Sequence, residues 1–255
     1  MKGVILAGGL GSRLQPLTLV TNKHLLPVYD RPMIYYPIQC LLNAGIDEIL
    51  IVTGGEHAGD FLKLLKNGKQ LGIRHLEYAY QEGEGGIADA LKLAEEFVDG
   101  GKLCVILGDN IIEGNIKQAA GEFFTQPSGA KLLLKEVDDP QRFGVARLDE
   151  HGQIAEIIEK PEQPPSNLAV TGIYFYDSNV FGMCQSLKPS LRGELEITDV
   201  NNAYLQRGDL THKVLDGWWT DAGTFDSLYR ATRLVREGGA NKPRLEPTSA
   251  GAGTT

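Results

Sequence analysis

The sequence predicts an α/β protein: a three-layer arrangement around a mostly parallel central mixed sheet, with a smaller β-rich portion following it. Three observations carry this. Short apolar runs near residues 3–7, 47–53, 74–79 and 103–107 are each separated from the next by a helix-like segment, the pattern of parallel βαβ units. The first run, Val4-Ile5-Leu6-Ala7, passes straight into Gly8-Gly9-Leu10-Gly11, which reads as a buried strand ending in a tight turn. After residue 130 the pattern changes to strands with little helix between them.

Taken in order, helices are expected to open near Pro32, His57, Gly86 and Gly114. Pro32 sits in the first turn, where its missing N–H does no harm, and Pro37 should kink or shorten the same helix. Strands follow over 130–137, 144–148, 154–159 and 170–176. Helices return over 178–187, 196–207 and 224–237, with a strand near 212–215. The chain thus reads as one domain over 1–240, divided into halves 1–129 and 130–240. The small, polar, aperiodic composition of 241–255 predicts a disordered tail.

Composition narrows the function. The chain has 255 residues, 42% of them hydrophobic, enough for one sizeable α/β core. No run approaches the roughly 18 apolar residues of a membrane span, and Met1-Lys2-Gly3 leads into a core strand without a signal-peptide pattern, so a cytoplasmic protein is expected. Cys40, Cys104 and Cys184 are widely spaced and odd in number, which predicts reduced, buried thiols. The net charge of −8 argues against nucleic acid or anionic membrane as partners, because both require a basic surface. The five histidines show no zinc-ligand spacing.

The glycine turn reads as a phosphate site. Glycines let backbone N–H groups approach an anion closely; Arg13 adds a planar cationic fork, and Lys23 a mobile point charge. Two other glycine loops are excluded by the letters. Gly9-x-Gly11-x-x-Leu14 lacks the third glycine of the dinucleotide fingerprint, and no G-x-x-x-x-G-K-[ST] loop occurs. In open α/β sheets the ligand lies beyond the carboxyl ends of the strands, where Asp109 follows the 103–107 run and Gly108. Asp221, reached from Trp218-Trp219 and followed by Gly223, is a second carboxylate. Two carboxylates with phosphate oxygens make a hard, all-oxygen environment that favours Mg²⁺.

The segment Leu6-Ala7-Gly8-Gly9-Leu10-Gly11-Ser12-Arg13-Leu14-x-Pro16 is followed by Asn22-Lys23-His24-Leu25-Leu26-Pro27-Val28 and Pro32-Met33-Ile34-Tyr35-Tyr36-Pro37. Further on come Leu107-Gly108-Asp109-Asn110, Arg142-Phe143-Gly144-Val145, Glu159-Lys160-Pro161 and Ala169-Val170-Thr171-Gly172-Ile173-Tyr174. Arg192-Gly193-Glu194-Leu195-Glu196-Ile197-Thr198-Asp199 and Trp219-Thr220-Asp221-Ala222-Gly223-Thr224 complete the set. In these motifs and their order the chain resembles the sugar-1-phosphate nucleotidylyltransferases, most of all the glucose-1-phosphate thymidylyltransferases.

The resemblance implies a Rossmann-like nucleotidyltransferase fold whose β-rich portion binds the sugar. It implies in-line attack of a sugar 1-phosphate oxygen on the α-phosphorus of dTTP, releasing pyrophosphate, with Mg²⁺ on Asp109 and Asp221. Arg13, Lys23 and Lys160 resemble the catalytic cations. Leu6, Gly8, Gly9, Gly11, Ser12, Arg13, Gln81, Gly86 and Asp109 resemble the nucleotide contacts. Asn110, Gly144, Glu159, Lys160, Val170, Tyr174 and Arg192 resemble the contacts to glucose 1-phosphate. The Gln81 amide can pair at once with the adjacent donor and acceptor of thymine or uracil. Glu159 and Lys160 are neighbours in an extended segment, so a twist or bulge must turn both toward the sugar phosphate.

Some segments depart from the family pattern. Glu82-Gly83-Glu84-Gly85 replaces a proline-containing stretch, and Ile111-Ile112-Glu113-Gly114 stands where many relatives carry aromatics. The resemblance is to a short form, without the C-terminal extension that serves subunit packing and an end-product site in longer enzymes, and it leaves a homo-oligomer open. Uridylyl transfer from UTP is the nearest alternative, and a non-catalytic sugar-nucleotide-binding subunit a second. A glycosyltransferase of similar fold would carry a D-x-D motif, which is absent.

Overall fold

The computed structural model describes residues 1–190 and 192–242. Its first half runs β1 (Lys2–Ala7), β2 (Pro27–Val28), β3 (Arg31–Pro32), α1 (Tyr35–Asn43), β4 (Glu48–Gly54), α2 (Ala58–Leu65) and β5 (His75–Gln81). It continues with α3 (Ile87–Lys92), α4 (Glu95–Val98), β6 (Leu103–Leu107), β7 (Asn110–Ile112) and α5 (Lys117–Thr125). The second half has β8 (Ala130–Glu136), β9 (Gly144–Leu148), β10 (Ile154–Glu159), β11 (Leu168–Tyr176) and α6 (Asn179–Ser186). It closes with α7 (Ile197–Gln206), β12 (Leu210–Val214), β13 (Trp219–Asp221) and α8 (Phe225–Gly238).

Nine strands form one sheet in the order β10-β9-β11-β6-β1-β4-β5, with β8 on β11 and β12 on β8. The β6-β1-β4-β5 stretch is parallel, as is β12 beside β8; β11 runs antiparallel to β6, β8 and β9. The inner parallel strands β1, β4 and β6 are buried on both faces, which is why they read as unbroken apolar runs, whereas the edge strand β5 is mostly exposed or half-buried. Along β1, Val4 and Leu6 join Leu50, Val52, Leu103 and Val105 in a core against α3, α6 and α7. Ile5 and Ala7 join Ile49, Ile51, Cys104 and Ile106 in a second core against α1, α2 and α5. The period-2 alternation of strand side chains thus supplies two cores from one strand set. Each such fully buried aliphatic contributes about 1.5–3 kcal/mol.

Register decides where the functional loops emerge. Ala7 pairs with Thr53 and Leu6 with Leu107, so Gly8 and Gly108-Asp109 leave the same edge side by side. Gly54 pairs with Gln81, which brings the end of β5 to that edge as well.

The first helix opens later than expected. Pro32 lies in the short β2–β3 pair, and Pro37 is the third residue of α1, within the first turn. At that position no intrahelical bond depends on its nitrogen, so Pro37 starts the helix instead of bending it. The α5 helix likewise begins at Lys117, after Asn115 accepts the Lys117 N–H at 3.0 Å. The β7–β13 pair, Asn110 opposite Asp221, is too short for its periodicity to be read.

Cys40, Cys104 and Cys184 are buried and free; burial pushes the Cys40 and Cys184 thiols up to about 12. No helix among the described residues is long and apolar enough to cross a membrane. The boundary expected at residue 241 moves outward. Asn241 is buried, donating from Nδ2 to the Tyr36 carbonyl at 2.9 Å and from its backbone N–H to that of Ile112 at 3.0 Å. The tail expected over 243–255 lies outside the described residues.

Glu122 on α5 ties the two outer parallel strands together. It accepts from Lys213 of β12 at 2.8 Å and Lys131 of β8 at 2.9 Å, and those two hydrogen bonds hold its carboxyl down to about 2. Lys131 is only 9% exposed, so Glu122→Gln leaves a buried ammonium poorly paired. Because Glu122 itself is 37% exposed, the expected loss is about 1–2 kcal/mol, not the several of a fully buried pair. Calorimetry should show a Tm lower by roughly 2–4 °C per kcal/mol. A depressed carboxylate stabilises the fold above its unfolded value and ceases to do so as pH falls. The wild-type advantage should therefore fade between about pH 4.5 and 2.

Candidate active site

A cavity of about 590 Å³ opens at the carboxyl edge of the parallel strands, between the two halves of the chain. At one corner Gly8 and Gly9 meet Arg13 and Lys23. The turn is built by Gly11, whose φ of +69° is left-handed and whose Cβ would press on Lys23 and Thr18 at 2.9 Å. Leu6 lines the cavity, but Gly11 and Ser12 do not. Both residues shape the 3₁₀ turn Ser12–Leu14 that carries Arg13.

Lys23 is fastened from beneath. Asn22 Oδ1 accepts from the His24 backbone N–H at 2.9 Å and lies 2.8 Å from its Nδ1, while Nδ2 reaches the Ala7 carbonyl at 3.4 Å. Burial, with Lys23 adjacent, pushes the His24 imidazole down to about 3, so it is neutral at neutral pH. A Cβ on Gly108 would come within 2.6 Å of that ring, and only glycine lets Asp109 follow there.

Asp109 lies 2.6 Å from Lys23 Nζ, with both side chains largely buried. Burial alone would raise its carboxyl, but Lys23 beside it and a 3.1 Å hydrogen bond from Asn110 hold it well below the usual range. Asp221, at the end of β13, accepts from Arg142 Nη2 at 3.1 and 3.2 Å and from the Gly223 N–H at 3.3 Å. Arg142 also grips Asp139 at 2.8 Å. The three groups converge over Gly223. A Cβ there would lie 3.2 Å from Arg13 Nη2 and 3.3 Å from Oδ2 of both Asp109 and Asp221.

Asn110 lines the cavity, but both ends of its amide are engaged within the protein. Oδ1 accepts from Trp219 Nε1 at 2.7 Å and the Gly172 N–H at 2.9 Å, and Nδ2 donates to Asp109. Its side chain thus braces Asp109 and Trp219, with one Nδ2 hydrogen left beyond the bond to Asp109.

Across the cavity stand Gly144, Glu159, Lys160, Val170, Tyr174 and Arg192. Glu159 Oε2 accepts from Thr198 at 2.6 Å, and its Oε1 faces Lys160 and Arg192, each at 3.5 Å. The parity problem of neighbours 159 and 160 has a local solution: β10 ends at Glu159, and Lys160 takes a left-handed φ of +41°. Gly144 leaves room for Glu159 and Thr198, which would stand 3.3 Å from a Cβ. Arg192 is held by Glu196 at 2.8 Å.

The third wall carries Gln81 and Gly86. Gly86 has φ +94° and passes so near the Leu195 carbonyl that a Cβ would lie 2.7 Å from it, which joins this wall to the second half. Gln81 Nε2 donates to Asp89 Oδ2 at 3.0 Å and to the Gly86 carbonyl at 3.2 Å. The expectation that its amide serves a base with both donor and acceptor is therefore corrected: the donor end is already engaged.

Several contributors escaped the sequence reading. Arg142 stood in a quoted motif without a role, because its Asp221 partner is 79 residues away. Thr198 and Glu196 act through Glu159 and Arg192, and only the fold brings them there.

A glycine turn with two cations faces a second cation pair across two converging carboxylates, all at the carboxyl edge of a parallel sheet. Fold and site are those of an α/β enzyme that brings two phosphate-bearing substrates together, a nucleotidyltransferase. The family model described as nucleotidyl transferase matches residues 2–238, and the chain belongs to that family. It is 47% identical to a glucose-1-phosphate thymidylyltransferase of Neisseria gonorrhoeae, covering 92% of this chain and 83% of that protein. A Xanthomonas campestris pv. campestris enzyme of the same name is 46% identical, over 92% and 80%. Among solved structures, a Bacillus anthracis protein provisionally described as a glucose-1-phosphate thymidylyltransferase, in complex with a sucrose, superposes with a TM-score of 0.89. It shares 55% identity and is covered to 96%, over 93% of this chain. A UDP-glucose pyrophosphorylase complexed with UDP-glucose superposes at 0.82 with 25% identity, over 92% and 98%.

Proposed function

We propose that this chain transfers the thymidylyl group of dTTP to glucose 1-phosphate, giving dTDP-glucose and pyrophosphate. The observation that carries this reading is the convergence of Arg13, Asp109 and Asp221 on one point, with Lys160 and Arg192 on the opposite wall. The names of relatives at 46–47% identity support the choice of nucleotide and sugar.

An oxygen of the sugar phosphate attacks the α-phosphorus; the new P–O bond forms as the bond to the β-phosphate oxygen breaks, and pyrophosphate leaves. No covalent enzyme intermediate is required, so catalysis rests on alignment and charge neutralisation. Arg13 and Lys23 flank the leaving pyrophosphate, and Lys160 with Arg192 holds the attacking phosphate in line. Glu159, fixed by Thr198, accepts from a sugar hydroxyl, and Trp219 dries the wall behind Asn110.

The donor set fits a divalent cation shared with the substrates. Among the described residues no cluster of three or more metal-ligating side chains exists, while two carboxylate oxygens lie equally far from one point. Asp109 and Asp221 would hold Mg²⁺, with phosphate oxygens completing its shell. Bound there, it supplies charge neutralisation at the reacting phosphate.

A pyrophosphate-release assay over the five common nucleoside triphosphates and several sugar 1-phosphates tests the reading. Release with dTTP and glucose 1-phosphate is expected; none with any pair would overturn it. Uridylyl transfer is the second reading, favoured by the UDP-glucose pyrophosphorylase likeness, and direct competition of UTP with dTTP separates the two. Lys160→Ala should chiefly raise KM for glucose 1-phosphate, by roughly tenfold or more, because a charge-assisted phosphate contact is lost. If only nucleotide affinity moved, Lys160 would belong to the other substrate.

A further inference from the structure

The nucleotidyl-transfer reading places a base beside Gln81, and what Gln81 offers that base depends on a residue outside the reaction. Gln81 closes β5 and is 7% exposed. Both hydrogens of its Nε2 have partners in the protein, Asp89 Oδ2 at 3.0 Å and the Gly86 carbonyl at 3.2 Å. A carboxylate and a carbonyl can only accept. Turning the amide over would set its own oxygen against two acceptor oxygens and leave all three without a donor. Oε1 is accordingly the free end. It lies against Gly8, where a Cβ would come within 2.8 Å of it.

Asp89 is itself held in place. It stands in the first turn of α3, and Lys92, one turn on, lies 2.8 Å from its Oδ1. Burial works to raise its carboxyl, but the hydrogen bonds from Lys92 and Gln81 outweigh this and hold it below the ordinary value. The group facing Gln81 is an ionised acceptor at neutral pH.

We propose that Asp89 is a positioning residue for base selection: it holds the Gln81 amide in one orientation, so the base meets an acceptor alone. Thymine and uracil present a donor there, the N3–H. Cytosine presents an unprotonated N3, and the two acceptors oppose each other. The inference rests on the nucleotidyl-transfer reading of this cavity and adds to it the means by which cytosine is rejected. Asp89→Asn keeps the size but lets residue 89 turn its own NH₂ toward Gln81. The Gln81 amide can then turn over against the Gly86 carbonyl alone.

The test compares wild type and Asp89→Asn for kcat/KM with dTTP, UTP and CTP, and for the affinity of dTDP, UDP and CDP by calorimetry. The CTP-to-dTTP ratio of kcat/KM should rise by roughly tenfold in the variant, the scale on which a mismatched polar contact is discriminated. The affinity for CDP relative to dTDP should rise with it, and KM for glucose 1-phosphate should stay within about twofold, since the bonds of the Asp89 carboxylate run to Gln81 and Lys92. An equal loss with all three triphosphates would mark Asp89 as structural only and overturn the proposal, as would an unchanged ratio. If Asp89→Asn does not fold by circular dichroism, Asp89→Ser removes the same carboxylate and is read in the same way. The calorimetric arm separates this inference from the reaction. Wild type that releases no pyrophosphate yet prefers dTDP to CDP, with the preference lost in the variant, would sink the transfer reading and uphold Asp89.

Discussion

Replacing Asp109 or Asp221 with Asn should lower kcat by about 10² or more while leaving the fold in place. The exchange keeps side-chain size and removes one of the two charges that converge over Gly223. The two variants should differ in a way that reports their surroundings. Asp109→Asn frees Lys23, which lies 2.6 Å away and is 14% exposed, so it also loses stability. Asp221→Asn leaves Arg142 its second partner, Asp139, and should melt closer to wild type. Steady-state kinetics across a magnesium titration, with thermal melts alongside, reads both effects. Full activity of either variant in excess chelator would eliminate the carboxylates as the metal site.

Arg13→Ala should cost roughly 2–4 kcal/mol of transition-state stabilisation, the range for losing a preorganised charge donor, or about 30- to 1000-fold in kcat/KM for dTTP. Gly11 and the Ser12–Leu14 turn hold Arg13 within reach of both carboxylates without a substrate bound, so its charge is in position before the reaction begins. Arg13→Lys should recover only part of the loss, since an ammonium lacks the fork that spans two phosphate oxygens. Single-turnover kinetics with dTTP should place the effect on the chemical step. A change confined to KM for glucose 1-phosphate would instead put Arg13 on the other substrate.

Much of the fold was legible because the inner parallel strands β1, β4 and β6 are buried on both faces. Runs such as Leu103-Cys104-Val105-Ile106-Leu107 have no fully exposed positions to interrupt them, and β1, β4 and β6 were read within a residue, while the less buried β5 runs two residues past its expected end. Short pairings were not legible. The β7–β13 pair spans three residues on each side, less than two full side-chain alternations, yet it is what sets Asp109 near Asp221. The α1 start was misplaced because either proline suits a first turn, and local sequence does not say which one occupies it.

The candidate site divides along the same line. Arg13, Lys23 and Asp109 were legible from the glycine turn and the strand end they follow, because backbone geometry there is a local property, whereas Glu159 and Lys160 were proposed only through the family resemblance. The pairings of Arg142 with Asp221 and of Thr198 with Glu159 cross 79 and 39 residues, distances over which a single sequence carries no signal. The engagement of Asn110 with Trp219 and Gly172 was likewise out of reach of a single sequence.

The sequence by itself determined the fold class, the edge of the sheet at which the cavity opens, and the residue types available there. These follow from burial periodicity and from glycine positions, both set by short-range sterics and solvation. Only the tertiary structure decided which way the available groups face. Gln81 offers an acceptor and not a donor because Asp89 and the Gly86 carbonyl take its N–H groups, and Lys160 lines the cavity beside Glu159, its backbone turning left-handed after β10. Orientation of a polar group depends on which partners the rest of the chain brings within about 3 Å, and that is a property of packing, not of sequence order.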